Sequence, residues 1–279
     1  MTKVIIYHKN CYDGFGAAWA AWKKFGKNAI YIAQEHQKPP PANLKGKEVY
    51  TLDFCFPEKE TKKILKSAKS LTIIDHHISA KHITESVPNY SYALHHSGAV
   101  LAWKFFHPRK KIPKLLRHIE DIDLWKFKIK NTAEIACALE LYEFDFKVLD
   151  KIAQDLEKRK NGKKIIEKGK IILEHNKGLV KRASDRAQLV VFEGYKTLAA
   201  NSAIFASLTS AIGHELTKRK PPIGIVYAES GGRKRVSLRS NGKVDVSKLA
   251  AKYGGGGHRA AAAFALDINK SWPWRIIKS

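Results

Sequence analysis

Four separated stretches of the chain bring together side chains of the kind that hold divalent cations. They are His8-Lys9-Asn10-Cys11-Tyr12-Asp13-Gly14, Asp53, Asp75-His76-His77 and Asp121-Ile122-Asp123. Carboxylates and neutral imidazoles suit Mn2+, Fe2+ or Zn2+, and one bridging carboxylate can hold two such ions about 3.5–4 Å apart. Each stretch also has an ordinary reading. A lone Asp53 caps a helix or turn, an isolated His8 is a hydrogen-bonded histidine, and Asp121 and Asp123 are exposed helix charges. The metal reading gains weight from where the chain delivers these residues.

Through the first half, apolar β-favouring runs alternate with helical patterns. Lys3–Tyr7, Glu48–Asp53 and Leu71–Asp75 read as strands, and Phe15–Phe25, Pro57–Ala68 and Ser97–Phe106 as helices. This is the rhythm of a parallel sheet covered by helices, whose ligands lie outside the carboxyl ends of the strands. His8, Asp53 and Asp75-His76-His77 follow three such strands. Trp19 and Trp22, set among Ala17, Ala18, Ala20 and Ala21, read as core of the first helix.

Residues 144–183 form a lysine-rich, helix-compatible stretch with Gly162 and Gly169 as weak points, read as a helical connection. Beyond it, Gln188–Phe192 and Tyr195–Ala200 read as a hairpin and Pro222–Tyr227 and Lys234–Leu238 as two further strands. Ser202–Leu216 and Val246–Lys252 are helix candidates, which makes a second α/β unit. The glycines Gly254–Gly257 leave backbone N–H groups open to phosphate oxygens, and His258 and Arg259 add donors where a helix would start. Arg239 has the planar fork suited to a terminal phosphate. Trp272-Pro273-Trp274 reads as an anchor for the tail.

These residues, in this order, resemble the DHH phosphoesterase superfamily. Asp75-His76-His77 after Leu71–Ile74 resembles its signature triplet, His8-Lys9-Asn10 with Asp13-Gly14 its first motif, Asp53 its second and Asp121 its fourth. Gly254–Gly257 with His258-Arg259 is similar to the glycine-rich signature of the DHHA1-type domain. The resemblance implies an α/β fold: a DHH metal-binding catalytic domain over 1–143, a helical linker over 144–184 and a smaller DHHA1-type substrate-binding domain over 185–279. It implies two divalent cations, Mn2+ foremost with Mg2+, Fe2+ or Zn2+ as alternatives. Asp53 would bridge both, His8 would serve one, and Asp13, His76 and Asp121 the other, with Asp123 the alternative to Asp121. His77 would face the scissile phosphate, aided by Lys9 or Arg259, and Asp75 would orient the imidazoles. Arg239, Ser240, Gly256, Gly257 and His258, with Asn201, would line the substrate side. The family's first motif carries two aspartates, whereas here Cys11 stands where the first is expected. Ligation by its thiol and simple space-filling both remain open.

The implied activity is hydrolysis of phosphate esters in short RNA or DNA pieces or at single-strand ends, with cyclic nucleotides as variants. The alternatives are a pyrophosphate or polyphosphate hydrolase and a nucleic-acid-binding protein with impaired catalysis. The chain has 279 residues, and 51 Lys and Arg against 26 Asp and Glu leave a net charge of +25, which favours an anionic partner. Three cysteines are too few and scattered for a disulfide framework. No run approaches the roughly 20 apolar residues that span a bilayer, and the opening turns polar too soon for a secretory signal. The expectation is a cytoplasmic protein without a membrane partner, with homodimer formation left open.

Overall fold

The computed structural model describes residues 2–35, 38–203 and 206–277. It divides into two compact units, Met1–Leu173 and Glu174–Ser279.

The first unit runs β1 (Lys3–His8), α1 (Tyr12–Phe25), β2 (Ala29–Gln34), β3 (Glu48–Leu52), α2 (Glu58–Ser67), β4 (Ser70–Asp75), α3 (Lys81–Thr84), β5 (Asn89–Tyr92), α4 (Gly98–Phe106), α5 (Lys114–Asp123), α6 (Thr132–Leu139), α7 (Phe146–Glu157) and α8 (Arg159–Asp185). The five strands are all parallel, in the order β2-β1-β3-β4-β5. Parallel strands are covered on both faces and therefore read as near-continuous apolar runs. Alternation along them sends Ile5, Leu52 and Ile74 into one core with α1, α4 and α5, and Val4, Ile6, Val49, Leu71 and Ile73 into another with Ile64 of α2.

Small residues let α1 approach α4 closely: a Cβ at Gly16 would sit 3.0 Å from that of Ala99. Trp19 is buried and stacks on Trp103, with ring centres 5.4 Å apart, and Trp22 stacks on Phe146. Trp19 is core, as expected, whereas Trp22 is half-buried and packs against that core.

The stretch expected as a linker is α7 and α8. Leu149, Ile152, Ala153, Leu156 and Ile165 pack into the first unit's core, so the division falls after Leu173, inside α8, rather than near residue 143. Gly169 is not a weak point. A Cβ there would collide with the carbonyl oxygen of Glu134, so the glycine permits close passage of α8 over α6.

The second unit contains β6 (Gln188–Phe192), β7 (Tyr195–Asn201), α9 (Thr209–Arg219), β8 (Ile223–Ser230), β9 (Arg233–Ser240), α10 (Val246–Ala251), β10 (Gly256–His258), β11 (Ala261–Asp267) and β12 (Arg275–Ile276). Its seven-stranded sheet has the order β10-β11-β9-β8-β7-β6-β12. Only β7 and β8 pair in parallel. Residues 204–205, within the helix expected over Ser202–Leu216, lie outside the described residues, and α9 begins at Thr209. The alanines after Arg259 form a strand rather than a helix. Ala262 and Phe264 alternate into the core while β11 pairs with β9 along its whole length. Trp272 and Trp274 stack on each other and pack against Tyr227, anchoring the tail as expected. Among the described residues no helix is long and apolar enough to cross a membrane.

Candidate metal centre

The strand order turns back at β1, which lies between β2 and β3. In open α/β sheets such a reversal is where ligands bind, beyond the carboxyl ends of the flanking strands, here β1 and β3. His8 ends β1. Asn10 then takes a left-handed backbone with φ 58°, and Cys11 enters α1 from an extended conformation. Gly14 is required here, because a Cβ would run into the His8 carbonyl. This tight turn places Asp13 in the first turn of α1. Asp53 follows β3 with φ 62°, a conformation Asp tolerates better than most residues, and its amide donates to the Ile74 carbonyl at 2.9 Å.

Several acids and imidazoles of the first unit lie close together. His76 Nε2 lies 3.2 Å from Asp53 Oδ1, 3.5 Å from Asp13 Oδ2 and 3.5 Å from Asp123 Oδ2. His8 Nδ1 lies 3.3 Å from the other oxygen of Asp53. Candidate ligand atoms of Asp13, His76 and Asp123 fall within 4.8 Å of one another, and so do those of His8, Cys11 and Asp53. Asp53 touches both groups, one through each oxygen, which is the position of a bridging carboxylate.

One expectation is corrected. Asp123, not Asp121, reaches the cluster. The Asp121 carboxylate accepts hydrogen bonds from the Lys128 and Ile129 amides, both at 2.9 Å, and so builds the turn after α5. Lys9 makes an exposed ion pair with Glu35 at 2.8 Å.

Asp75 is fully buried, and its Oδ1 accepts from the amides of His76 and His77 and from His77 Nδ1 at 2.7 Å. It therefore orients the ring of His77, which reaches solvent with 22% of its side chain exposed. Sequence reasoning missed Gly98. Its amide and that of Ala99, at the N-terminus of α4, donate to the two oxygens of Asp13 at 2.6 and 2.9 Å. A Cβ on Gly98 would lie 2.7 Å from Asp53 Cβ and 3.0 Å from Asp13 Oδ2. The available signal was Ser97, a serine cap directly before an apolar helix.

Burial is the largest influence on these acids. It pushes Asp13 well above the carboxylate range, with Asp53 and Asp123 adding to the rise, and lifts Asp123 to about 6 against the opposing His76. Burial would raise Asp53 as well, but His76 and His8 outweigh it and hold the group far below its ordinary value. For His76 burial favours the neutral ring, yet Asp53, Asp123 and Asp13 lift it to about 10.

The donor set fits divalent cations. Asp53 Oδ1 and Asp123 Oδ2 are buried and face the same His76 nitrogen, at 3.2 and 3.5 Å, so carboxylate oxygens and an imidazole nitrogen converge as a donor set of the kind such cations take. Asp123 also ends α5, where the helix dipole disfavours a carboxylate.

In the second unit, Arg239 is held by its own neighbours, donating to Ser210 Oγ at 2.6 Å and to the Leu238 carbonyl at 2.9 Å. Ser240 Oγ accepts from the Gly242 and Val244 amides, and Asn201 Oδ1 from the Ala203 amide. Both side chains thus shape turns. Gly257, with φ 140°, is required by the pairing of β10 with β11, whereas a Cβ on Gly256 would meet nothing. Arg259 is exposed and His258 half-buried.

Residues 194–270 match the DHHA1 domain family. Over 95% of its length the chain is 31% identical to an uncharacterized protein of Acanthamoeba polyphaga mimivirus, of which it covers 67%. Over 94% of its length it is 22% identical to the oligoribonuclease NrnB of Bacillus subtilis, of which it covers 72%. A solved structure of the pGpG-specific phosphodiesterase PggH of Vibrio cholerae aligns with a TM-score of 0.50 at 14% identity, covering 96% of this chain and 94% of that one. That structural likeness concerns the fold.

Proposed function

Because the chain belongs to the DHH/DHHA1 phosphoesterase superfamily, we propose that it is a metal-dependent phosphodiesterase acting on short oligonucleotides. The observation that carries this reading is Asp53 standing between two ligand groups, His8 with Cys11 and Asp13 with His76 and Asp123. Divalent cations bound there, Mn2+ foremost, supply the Lewis acidity that lowers the pKa of water and screens phosphate charge.

The chain's own residues do the rest. Gly98 and Ala99 amides hold Asp13 in place, so the cluster is organised before substrate arrives. Asp75 fixes His77 and, with Asp53, outweighs burial to raise its pKa, which favours an imidazolium beside a phosphate. That ring offsets charge on the attacked group and gives a proton to the departing oxygen. In the second unit Arg259, His258 and the open backbone at Gly256 are the groups we assign to the substrate's anionic portion, while Arg239 is braced by Ser210 and the Leu238 carbonyl. The +25 charge favours the same class of ligand. NrnB and PggH, as their names state, act on oligoribonucleotides and pGpG.

The test is hydrolysis of a 5′-phosphorylated diribonucleotide, a long single strand, a cyclic dinucleotide and pyrophosphate, each with Mn2+. We expect the dinucleotide to yield mononucleotides, and EDTA or Asp53→Asn to abolish the reaction. Cleavage of pyrophosphate alone, or of nothing with Mn2+, Mg2+, Co2+ or Zn2+, would sink the proposal.

A further inference from the structure

We propose that Cys11 is a thiolate ligand of this centre, so that its two metal positions differ in kind. One would combine thiolate, imidazole and carboxylate from Cys11, His8 and Asp53. The other would use only carboxylate and imidazole from Asp13, His76 and Asp123, with Asp53 shared. The inference rests on the metal reading above and concerns which cation each position selects.

Two observations carry it. The sulfur, a His8 nitrogen and an Asp53 oxygen fall within 4.8 Å of one another, whereas neither Cys55 nor Cys137 belongs to such a group among the described residues. A cysteine that only filled space would sit among apolar side chains, but Cys11 lies among Asp53, Asp13 and Asp123 and against the Gly14 amide.

Thiolate is a soft donor and favours Zn2+, Fe2+ or Co2+, while oxygen-rich sets suit Mn2+ and Mg2+. Binding replaces the thiol proton by the cation: the S–H bond gives up its proton to solvent, sulfur donates a lone pair to the metal, and no electron is transferred. The centre would then take a borderline cation at the Cys11 position and a harder one at the Asp123 position.

Co2+ is the probe. Titration of the full chain is followed by near-ultraviolet absorption for the thiolate-to-cobalt charge-transfer band, with bound Co2+ counted by equilibrium dialysis. We expect a band in the wild-type protein that persists in Cys55→Ala and disappears in Cys11→Ser and Cys11→Asp. Cys11→Asp should still bind Co2+, which reports an intact fold, and should shift the preference for Zn2+ over Mn2+ toward Mn2+ by about tenfold or more. Bound Co2+ without a thiolate band, or a band that survives Cys11→Ser, would overturn the Cys11 assignment and leave the metal centre standing. No bound Co2+ at all in the wild-type protein would overturn both.

Discussion

Replacing Gly98 by alanine tests whether the two central carboxylates are held as a pair. The added methyl would meet Asp53 Cβ at 2.7 Å, Asp53 Oδ1 at 2.9 Å and Asp13 Oδ2 at 3.0 Å. Carbon atoms in ordinary contact are about 3.5–4.0 Å apart, so Asp53 and α4 must separate by about 1 Å. Asp53 cannot swing freely, because its amide is tied to Ile74 and its backbone is left-handed. Asp13 moves as well, since Gly98 itself donates to it. Overpacking of this kind costs about 1–3 kcal/mol, and a 1 Å displacement of catalytic groups costs about 100-fold in rate. We expect Gly98→Ala to melt a few degrees lower yet fold, with turnover on a dinucleotide down about 100-fold and Mn2+ affinity reduced in isothermal titration. Wild-type affinity and turnover in that variant would show that the carboxylates are not held by the α4 terminus.

Three further outcomes follow from the same geometry. Within α8, Gly169→Ala should destabilise by several kcal/mol or prevent folding, because its Cβ collides with Glu134 backbone, whereas Gly178→Ala, which meets only Arg182 Nη1 at 3.5 Å, should stabilise by about 1 kcal/mol in urea denaturation. Asp121→Ala should lower stability by roughly 2–3 kcal/mol through two lost charge-assisted hydrogen bonds, while Asp123→Asn should leave melting nearly unchanged and weaken Mn2+ binding; the reverse pattern, read by calorimetry and titration, would return Asp121 to the centre. Burial holds His107 below its ordinary pKa of about 6.5 while its Nε2–H donates to the Ala20 carbonyl, so below that pH the unfolded chain binds more protons and stability falls as pH drops. His107→Asn should flatten that acid limb relative to wild type in melts between pH 7.5 and 5.5, and an unchanged slope would refute the assignment.

Much of the first unit was legible because β1, β3 and β4 are apolar on both faces and each is followed directly by chemistry-bearing residues. β2 and β5 were not, since as edge strands they are half exposed and mix polar residues into short runs. The choice between Asp121 and Asp123 was beyond local pattern. Both acids end the same helix, and what separates them is the turn that follows, in which Trp125 and Phe127 take positive φ and bring the Lys128 and Ile129 amides back onto Asp121. The alanine run at 261–265 suggested a helix by propensity, but pairing with β9 decided its state. The partner that Arg239 meets, Ser210, lies 29 positions away and could be found only in three dimensions.

The left-handed backbone at Asp53 limits how this protein can evolve. Single-nucleotide changes from an aspartate codon reach Asn, Gly, Glu, Ala, Val, His and Tyr, of which Gly and Asn, and more weakly His, accept that conformation readily and none carries a carboxylate. Glutamate keeps the charge but adds a methylene and fits the backbone poorly. Drift at this position therefore has no neighbouring residue that preserves both shape and charge, and variation among descendants must accumulate around it, at positions such as Cys11, where the choice of donor changes the preferred cation without dismantling the centre.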